Sequence, residues 1–390
     1  MPEVPPRPRI ALLQRAIAHY RFPLFVRLHE QSAFEWVFFS DKHDQRISTG
    51  LPAEDLHRLP HHPIRNRSLY GPITWQSGLR LRGFDGLLMD LGWPILSNPR
   101  YLLEARSRGM ATIGWSKGIP QVPGQRESPA KRIYQRFILS LCDALVLYGE
   151  ISRGFFRQLG FPENRMFVAQ NTIDTRRIAI SRDAAVKAGR TLRDRLRVGQ
   201  RFVFGYLGAL ISRKRVGDII AAFNQARADG DDCVLVVAGD GPERTALERA
   251  ARASPYHADI LLPGRIPAGE EDGWFQLFDA YLSFAQGGLG ILEAMAHGRV
   301  VVSTPERYPE TELLVDGDTA LLAGGFSINA FATVMRRAFA SRSSLAAIGE
   351  RARDCVLARA TLENMVCQID RAVACGLARH GHSQHFLNHP

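Results

Sequence analysis

The sequence is poor in cysteine and contains no long apolar run. Its 390 residues include five cysteines, an odd number without metal-type spacing, which predicts ordinary buried thiols rather than a disulfide or zinc framework. No apolar stretch approaches the ~18 residues that cross a bilayer. The amino-terminal stretch MPEVPPRPRIALLQRA also lacks the apolar core of a secretion signal. We therefore expect a cytoplasmic protein.

Acidic residues are fewer than basic ones, 39 against 50, and the formal net charge is +11. This charge favours anionic partners, such as nucleotide phosphates, an anionic membrane surface or nucleic acid. The sequence has no zinc-finger spacing, no aromatic RNA-binding strand and no dense basic arm, so nucleic acid is not expected. Arginine is denser over residues 65–82 and 131–136. These stretches are consistent with two interpretations, a solvated basic surface and a surface that faces the inner side of the cell membrane.

The chain is long enough for two domains, and short apolar runs alternate with amphipathic segments in both halves. In the first half the predicted strands are RIALLQ, WVFFS, GLLMDL, MATIGW, CDALVLYG and RMFVAQN. In the second half they are FVFGYLGAL, CVLVVAGD, DILLPGR, AYLSFA, VVVST and TALLAG. This alternation predicts an α/β protein of two doubly wound, Rossmann-like parallel-sheet domains.

The predicted boundaries follow changes in composition along the chain. We assign an amino-terminal domain to residues 1–180, an Arg-rich linker to 181–200 and a second domain to 201–360. A terminal helix is expected over 361–377, followed by a flexible tail, 378–390. The tail holds four histidines, but without a second ligand cluster disorder is favoured over a metal site.

The stretch FGYLGALISRKRVGDIIAAF predicts a phosphate site. A strand ends at the small residue Gly208, and Arg213 and Lys214 follow at the start of a predicted amphipathic helix. Ligands of such sheets bind beyond the carboxyl ends of the strands, where a guanidinium fork and an ammonium suit a diphosphate. The alternative is a solvated surface pair, which the helix dipole disfavours at that end.

The stretch SFAQGGLGILEAMAHG joins a glycine-rich loop to a predicted helix. Gly287 and Gly288 allow the backbone to approach a ligand closely, and the amides that begin the helix attract anions. Glu293, among apolar neighbours, is expected near the buried side and can accept hydrogen bonds from ribose hydroxyls. A capping role, or a pairing with a nearby arginine, is the alternative.

Taken together, these motifs resemble the retaining glycosyltransferase family 4. The similarity covers about residues 202–326, and VAQNTIDT in the first half resembles the family's segment before the domain crossover. It rests on GALISRKRVGDIIAAF, VLVVAGDGPER, ILLPGRI, GGLGILEAMAHGRVVVST and ETELLVDGDTALLAGG. The resemblance implies a GT-B fold, with two Rossmann-like domains facing a cleft, a nucleotide-sugar donor in the second domain and no metal or other cofactor.

The resemblance also implies roles for individual residues. Arg213 and Lys214 match the diphosphate-binding pair, and Glu293 matches the second Glu of the family's Glu-seven-residues-Glu motif, which contacts ribose. The remaining donor-site residues by position are Gly208, Arg265, Gln286, Gly287, Gly288 and Leu289.

Two positions depart from the family pattern. The first Glu of the motif is Ala285 here, and Gln286 can supply a neutral hydrogen bond one position along. In WSKGIP, Lys117 stands where many members have His; it is a catalytic candidate that can bind the donor sugar or phosphate, or else a solvated loop residue.

The first domain is expected to bind the acceptor. His19, Tyr20 and Arg21 follow the first strand, where the family places acceptor-facing residues. Glu150 follows the strand CDALVLYG and either binds acceptor hydroxyls or caps the next helix.

The function implied is hexosyl transfer, with retention, from a nucleotide diphosphate sugar to a cell-envelope polysaccharide or lipid-linked acceptor. Arg213 and Lys214 would stabilise the leaving diphosphate. A catalytically silent GT-B protein is the alternative that Ala285 motivates. A nucleotide-sugar epimerase of this fold is a further alternative, and it needs additional acid and base groups.

Overall fold

A computed structural model of the chain describes residues 6–41, 53–70, 73–92, 95–118, 129–227 and 231–381. Its contacts divide the chain into two compact units. The first extends to Asn171 and resumes at Leu362, and the second is the continuous segment Thr172–Thr361.

The first unit is built on a seven-stranded parallel sheet of order β3-β2-β1-β6-β7-β8-β9. All six strands predicted in the first half are present, because most are apolar runs buried on both faces, whereas the polar strand β3 was not predicted. The strands are β1 Arg9–Leu13, β2 Glu35–Ser40, β3 His61–Pro63, β6 Gly86–Asp90, β7 Ala111–Ser116, β8 Ala144–Leu147 and β9 Met166–Val168.

Six helices accompany this sheet within the part of the unit that the structure describes. They are α1 Phe22–Gln31, α2 Ala53–Leu56, α3 Asn98–Ser107, α4 Pro129–Ser140, α5 Glu150–Gln158 and α14 Leu362–Ala378. An antiparallel hairpin of β4 Arg65–Tyr70 and β5 Ile73–Ser77 lies within the first arginine-dense stretch and was not predicted. The last helix, α14, packs on the sheet through buried residues such as Met365, Ile369 and Val373.

The second unit has a six-stranded parallel sheet of order β12-β11-β10-β13-β14-β15. Its strands are β10 Phe202–Leu207, β11 Cys233–Ala238, β12 Ile260–Gly264, β13 Ala280–Ser283, β14 Val300–Ser303 and β15 Ala320–Leu322. Its helices are α6 Thr175–Ile180, α7 Arg182–Arg195, α8 Val216–Ala226, α9 Arg244–Arg252, α10 Glu271–Leu277, α11 Leu289–Ala296, α12 Ile328–Ala340 and α13 Leu345–Arg359. The predicted α/β fold with parallel sheets is confirmed.

The unit boundary lies earlier than the sequence pattern placed it. Residues 172–200 belong to the second unit, because α7 packs against α10 so closely that a Cβ on Gly189 would lie 2.9 Å from Gln276 Cβ. The segment predicted as a linker is therefore an integral helix. At the carboxyl-terminal end, the side chains of Arg379 and His380 form hydrogen bonds with the Asp143 carboxylate, at 3.3 Å from Arg379 Nε and 2.9 Å from His380 Nε2. The first residues of the predicted flexible tail are therefore held against the first unit. The rest of the predicted tail, 382–390, lies outside the described residues.

The predictions on membrane segments and thiols can be compared directly. Among the residues that the structure describes, no helix combines the length and apolarity needed to cross a membrane. The five cysteines are free; Cys142 and Cys233 are buried as predicted, whereas Cys367 is exposed on the outer side of α14.

Candidate functional site

The second sheet reverses its strand order between β10 and β13. From β10 the chain adds β11 and β12 on one side and then β13, β14 and β15 on the other, all parallel, which is the arrangement of doubly wound nucleotide-binding folds. Ligands of such sheets bind beyond the carboxyl ends of the strands at this switch point. The two predicted motifs begin there, since Gly208 follows β10 and the glycine-rich loop follows β13.

Lys214 connects the two motifs. Its Nζ donates hydrogen bonds to the backbone carbonyls of Gln286 and Gly287. Arg213, its neighbour, is exposed at the same edge. Both lie in a 3-10 turn, Ser212–Lys214, and not at the start of α8 as predicted, because Arg215 adopts a left-handed backbone (φ 51°) and α8 begins at Val216.

The glycine-rich loop has an unusual backbone. Gln286 and Gly288 have positive φ values of 30° and 93°, and α11 begins directly afterwards at Leu289. A Cβ on Gly288 would lie 3.3 Å from Lys214 Nζ, and a Cβ on Gly287 would lie 2.1 Å from Ile291 Cδ1. Glycine at these two positions therefore lets the loop pass between the lysine and its own helix.

Glu293 lies on α11, just over one turn into the helix, and is half-buried. Burial raises the pKa of its carboxyl to about 7, with Arg177 opposing the shift and Asp272 adding to it. The group is therefore poised to change charge near neutrality, and a hydroxyl donor would favour its ionised form.

A charged network next to Glu293 was not predicted. The Arg177 guanidinium donates to both carboxylate oxygens of Asp272 at 2.7 and 3.0 Å, and Ser181 Oγ donates at 2.8 Å. His297 Nε2 lies 3.2 Å from the same carboxylate. Burial opposes ionisation of Asp272, but the hydrogen bonds from His297, Arg177 and Ser181 hold its pKa below the ordinary value.

The same network contains a set of potential metal ligands. One ligand atom each of Asp272, Glu293 and His297 lies within 4.8 Å of the others, a spacing that metal ions use. Here Arg177 already occupies both oxygens of Asp272 with a positive charge. A cation would have to compete with that guanidinium, so these residues suit an ion pair better than a metal.

Glu306, in the loop after β14, borders the glycine-rich loop and was also missed. The backbone amide of Gln286 hydrogen-bonds its carboxylate, and Lys214 and Arg215 are close enough to act on its charge. Burial nevertheless raises the pKa of Glu306 to about 7. Its Oε2 is buried and has no hydrogen-bond partner among the described residues.

The remaining donor-site predictions have varied surroundings. Gly208 donates its amide to the Ala238 carbonyl and lies so close to β11 that a Cβ on Gly239 would be 1.9 Å from Gly208 O. Arg265 is exposed beyond β12, two strands from β10. Ala285 is 5% exposed and packs in the core, so its side chain does not reach the loop surface.

The first sheet also has a switch point, between β1 and β6. Of the predicted acceptor residues, His19, Tyr20 and Arg21 form a 3-10 turn after β1. The Arg21 guanidinium donates to Asn171 Oδ1 at 2.5 Å and lies 4.8 Å from the Tyr148 ring centre. Lys117 Nζ is 5.7 Å from the same ring, so Tyr148 brings together two predicted cations.

Two further acids belong to this edge of the first sheet. Asp90 ends β6, and burial raises the pKa of its carboxyl although Arg15, Arg21 and Lys117 act against the shift. An acid directly after the apolar run GLLM was the signal that sequence reasoning passed over. Glu150 is the first residue of α5 and pairs with Arg153 at 2.9 Å, an interaction within the helix.

Comparison with known proteins first defines the architecture. HepE of Anabaena, solved in complex with UDP, resembles this structure with a TM-score of 0.73 at 15% identity, over 94% of this chain and 99% of that chain. At that identity the likeness establishes the fold, which is GT-B.

The family match then identifies the second unit more closely. Residues 190–354 match the family model for Glycosyl transferases group 1. A GDP-mannose-dependent alpha-(1-6)-phosphatidylinositol monomannoside mannosyltransferase of Mycolicibacterium smegmatis is 28% identical over 62% of this chain and 62% of its own length. The alpha-D-kanosaminyltransferase of Streptomyces kanamyceticus is 28% identical over 40% of this chain and 41% of its own length. This chain therefore spans less than two thirds of the length of either relative.

Replacement of Glu293 by Gln should increase the free energy of unfolding relative to the wild type as the pH becomes alkaline. The Glu293 pKa, about 7 in the folded protein against 4.5 ordinarily, means that stability is lost as the pH rises through about 7. Gln has no such proton, so the stability difference in favour of the variant should grow between about pH 4.5 and pH 8. Denaturant unfolding across this range measures it, and a difference that does not change with pH contradicts it.

Proposed function

We propose that the protein is a retaining glycosyltransferase of family 4, which transfers a hexosyl group from a nucleotide diphosphate sugar. The observation that carries the proposal is the contact of Lys214 with the carbonyls of Gln286 and Gly287 at the switch point of the second sheet. This contact brings a cation, a close-approach loop and the start of α11 to one edge. Such a combination suits a diphosphate.

In the proposed reaction, negative charge grows on the diphosphate as the bond to the sugar breaks. Arg213, Lys214 and the amides at the start of α11 would stabilise this charge without a metal ion. Glu293, further along α11, would accept hydrogen bonds from the ribose, and Gly208, Arg265 and Leu289 complete the proposed donor contacts. Retention would follow from attack by the acceptor on the face that the diphosphate leaves, with a phosphate oxygen taking the proton.

The acceptor is proposed to be a cell-envelope saccharide or a lipid-linked one, handled at the inner face of the membrane. One relative carries a phosphatidylinositol mannoside in its name and another an amino sugar, which supports such acceptors without selecting one. In the first unit, His19, Tyr20, Arg21 and Glu150 are the proposed acceptor contacts. Lys117 is proposed to contact the donor sugar or its phosphate, and Asp90 joins these residues as a hydrogen-bond acceptor.

A catalytically silent nucleotide-sugar-binding protein is the second candidate. Ala285 favours this candidate, because alanine supplies no carboxylate to a sugar at the position where the family motif has its first Glu. Both candidates require a working donor site, and they differ in whether a sugar is transferred.

The test is thermal stabilisation against GDP, UDP, GDP-mannose, UDP-glucose and other nucleotide sugars. A specific ligand at about 100 times its Kd should add ~2.7 kcal/mol to the free energy of unfolding. The selected donor is then incubated with saccharide and lipid acceptors, and the anomeric configuration of the product is read by NMR. No stabilisation by any nucleotide contradicts the donor site; a donor that binds but is never transferred favours the silent protein.

A further inference from the structure

One helix of the first unit exposes large apolar side chains on its outer face. On α4, Ile133 is 70% exposed and Phe137 is 45% exposed. They are four residues apart, so they lie on the same side of the helix. The opposite side is buried through Ile138 and Leu139, which are 4% and 5% exposed. The helix is therefore held on the unit by one side while Ile133 and Phe137 form an apolar stripe on the other.

The charged side chains of α4 itself are all positive. Arg132 and Arg136 are exposed and lie one residue before each apolar side chain, along the same edge of α4. The helix also contains Lys131 and has no acidic residue. The neighbouring helix α3, which contacts α4, adds the exposed side chains of Leu103 and Arg100.

We propose that this face of α4 docks the protein on an anionic lipid surface. Apolar residues beside arginines are the composition of helices that lie in the membrane interface, with the apolar groups among the acyl chains and the cations at the phosphates. The positive charge of the whole chain, +11, complements such a surface over a longer range. The proposal deepens the proposed function by naming the surface that would bring a lipid-linked acceptor, and it is tested without any donor or acceptor.

The experiment measures sedimentation of the full chain with phosphatidylcholine vesicles that do or do not contain roughly one third phosphatidylglycerol. The wild type should bind the anionic vesicles and not the neutral ones. The double variant Ile133→Ser, Phe137→Ser should bind ~10- to 100-fold more weakly. The double variant Arg132→Gln, Arg136→Gln should lose ~10- to 30-fold, and the loss should shrink with added salt.

Matched controls exist in the second unit. Ile180, on α6, is 80% exposed, so Ile180→Ser removes an exposed apolar side chain comparable to Ile133, which is 70% exposed. Lys187 and Arg190 are exposed on α7, and their double change to Gln removes the same charge. Both controls should bind vesicles as the wild type does, and equal unfolding midpoints for all variants establish that each is folded.

Three outcomes would overturn the proposal. In the first, the wild type does not bind anionic vesicles. In the second, the α4 variants bind as tightly as the controls. In the third, the wild type self-associates in analytical ultracentrifugation, the apolar variant does not, and neither binds lipid, which would make the stripe an interface between copies of this chain. Stabilisation by nucleotides is measured in a separate experiment, so the absence of vesicle binding would contradict membrane docking without contradicting the proposed donor site.

Discussion

Replacement of Lys214 by Ala should weaken the binding of nucleoside diphosphate by ~10- to 100-fold, which corresponds to the ~1.5–3 kcal/mol of a charged hydrogen bond. The same variant should also lower the unfolding midpoint, because Lys214 Nζ satisfies the carbonyls of Gln286 and Gly287 and these would lose their donor. Arg213 is exposed and lies in the same turn. Arg213→Ala should therefore reduce affinity while leaving the midpoint nearly unchanged.

Isothermal titration with the diphosphate that stabilises the wild type distinguishes the two effects. Arg252→Ala is the matched control, because its side chain is 74% exposed on α9 of the same unit, where it pairs with the Glu248 carboxylate at 3.7 Å and donates to the Glu248 carbonyl at 3.2 Å. Unchanged affinity in both Lys214→Ala and Arg213→Ala would rule out the diphosphate assignment. A loss of stability in Lys214→Ala without a loss of affinity would make Lys214 a structural residue of the loop.

Removal of the Asp272 carboxylate should destabilise the second unit by about 2–3 kcal/mol. The change Asp272→Ala leaves His297, whose side chain is fully buried, without its carboxylate partner, and leaving a buried polar group unpaired costs ~1–3 kcal/mol. It also removes the hydrogen bonds from Ser181 and Arg177. Because the Arg177 side chain is half-exposed, water can replace part of what it loses.

Denaturant unfolding at neutral pH measures this effect. Asp318→Ala is the control, since Asp318 pairs with Arg351 at 2.7 Å but both side chains are about half-exposed, and such pairs contribute ~0–1 kcal/mol. Equal losses in the two variants would show that the Asp272 network adds no more than a surface pair. The wild type should further lose this contribution in acid, since the pKa of Asp272 is held below its ordinary value and protonation breaks the network.

All strands of the two parallel sheets except β3 could be predicted, because most are nearly continuous apolar runs between turns, whereas β3 is the polar stretch HHP. VVVS of β14 and ALVL of β8 are buried at every position, which is the pattern of a central parallel strand. The hairpin strand β4 was missed for the converse reason. Its sequence RNRSLY is exposed or half-buried throughout, so neither burial nor alternation distinguishes it from a polar loop.

The site was predictable only where its residues are close together in the sequence. Arg213 and Lys214 are adjacent, and the glycine-rich loop and Glu293 lie within one short stretch, so local patterns identified them. Arg177 and Asp272 are 95 positions apart and meet only because α6 and α10 lie in one unit. Glu306 is separated from Lys214 in the same way, and its buried oxygen has no signature in the sequence.

The second unit is one uninterrupted length of chain, whereas the first unit is completed by α14, which begins at Leu362. During synthesis on a ribosome, residues 1–171 are made first, but one apolar face of their sheet is covered only after α14 has been made. The second unit can finish folding while the first still exposes the surface that Met365, Ile369 and Val373 will bury. The order of folding is therefore expected to be the reverse of the order of translation, and the nascent first unit is the stage at which a chaperone would be needed.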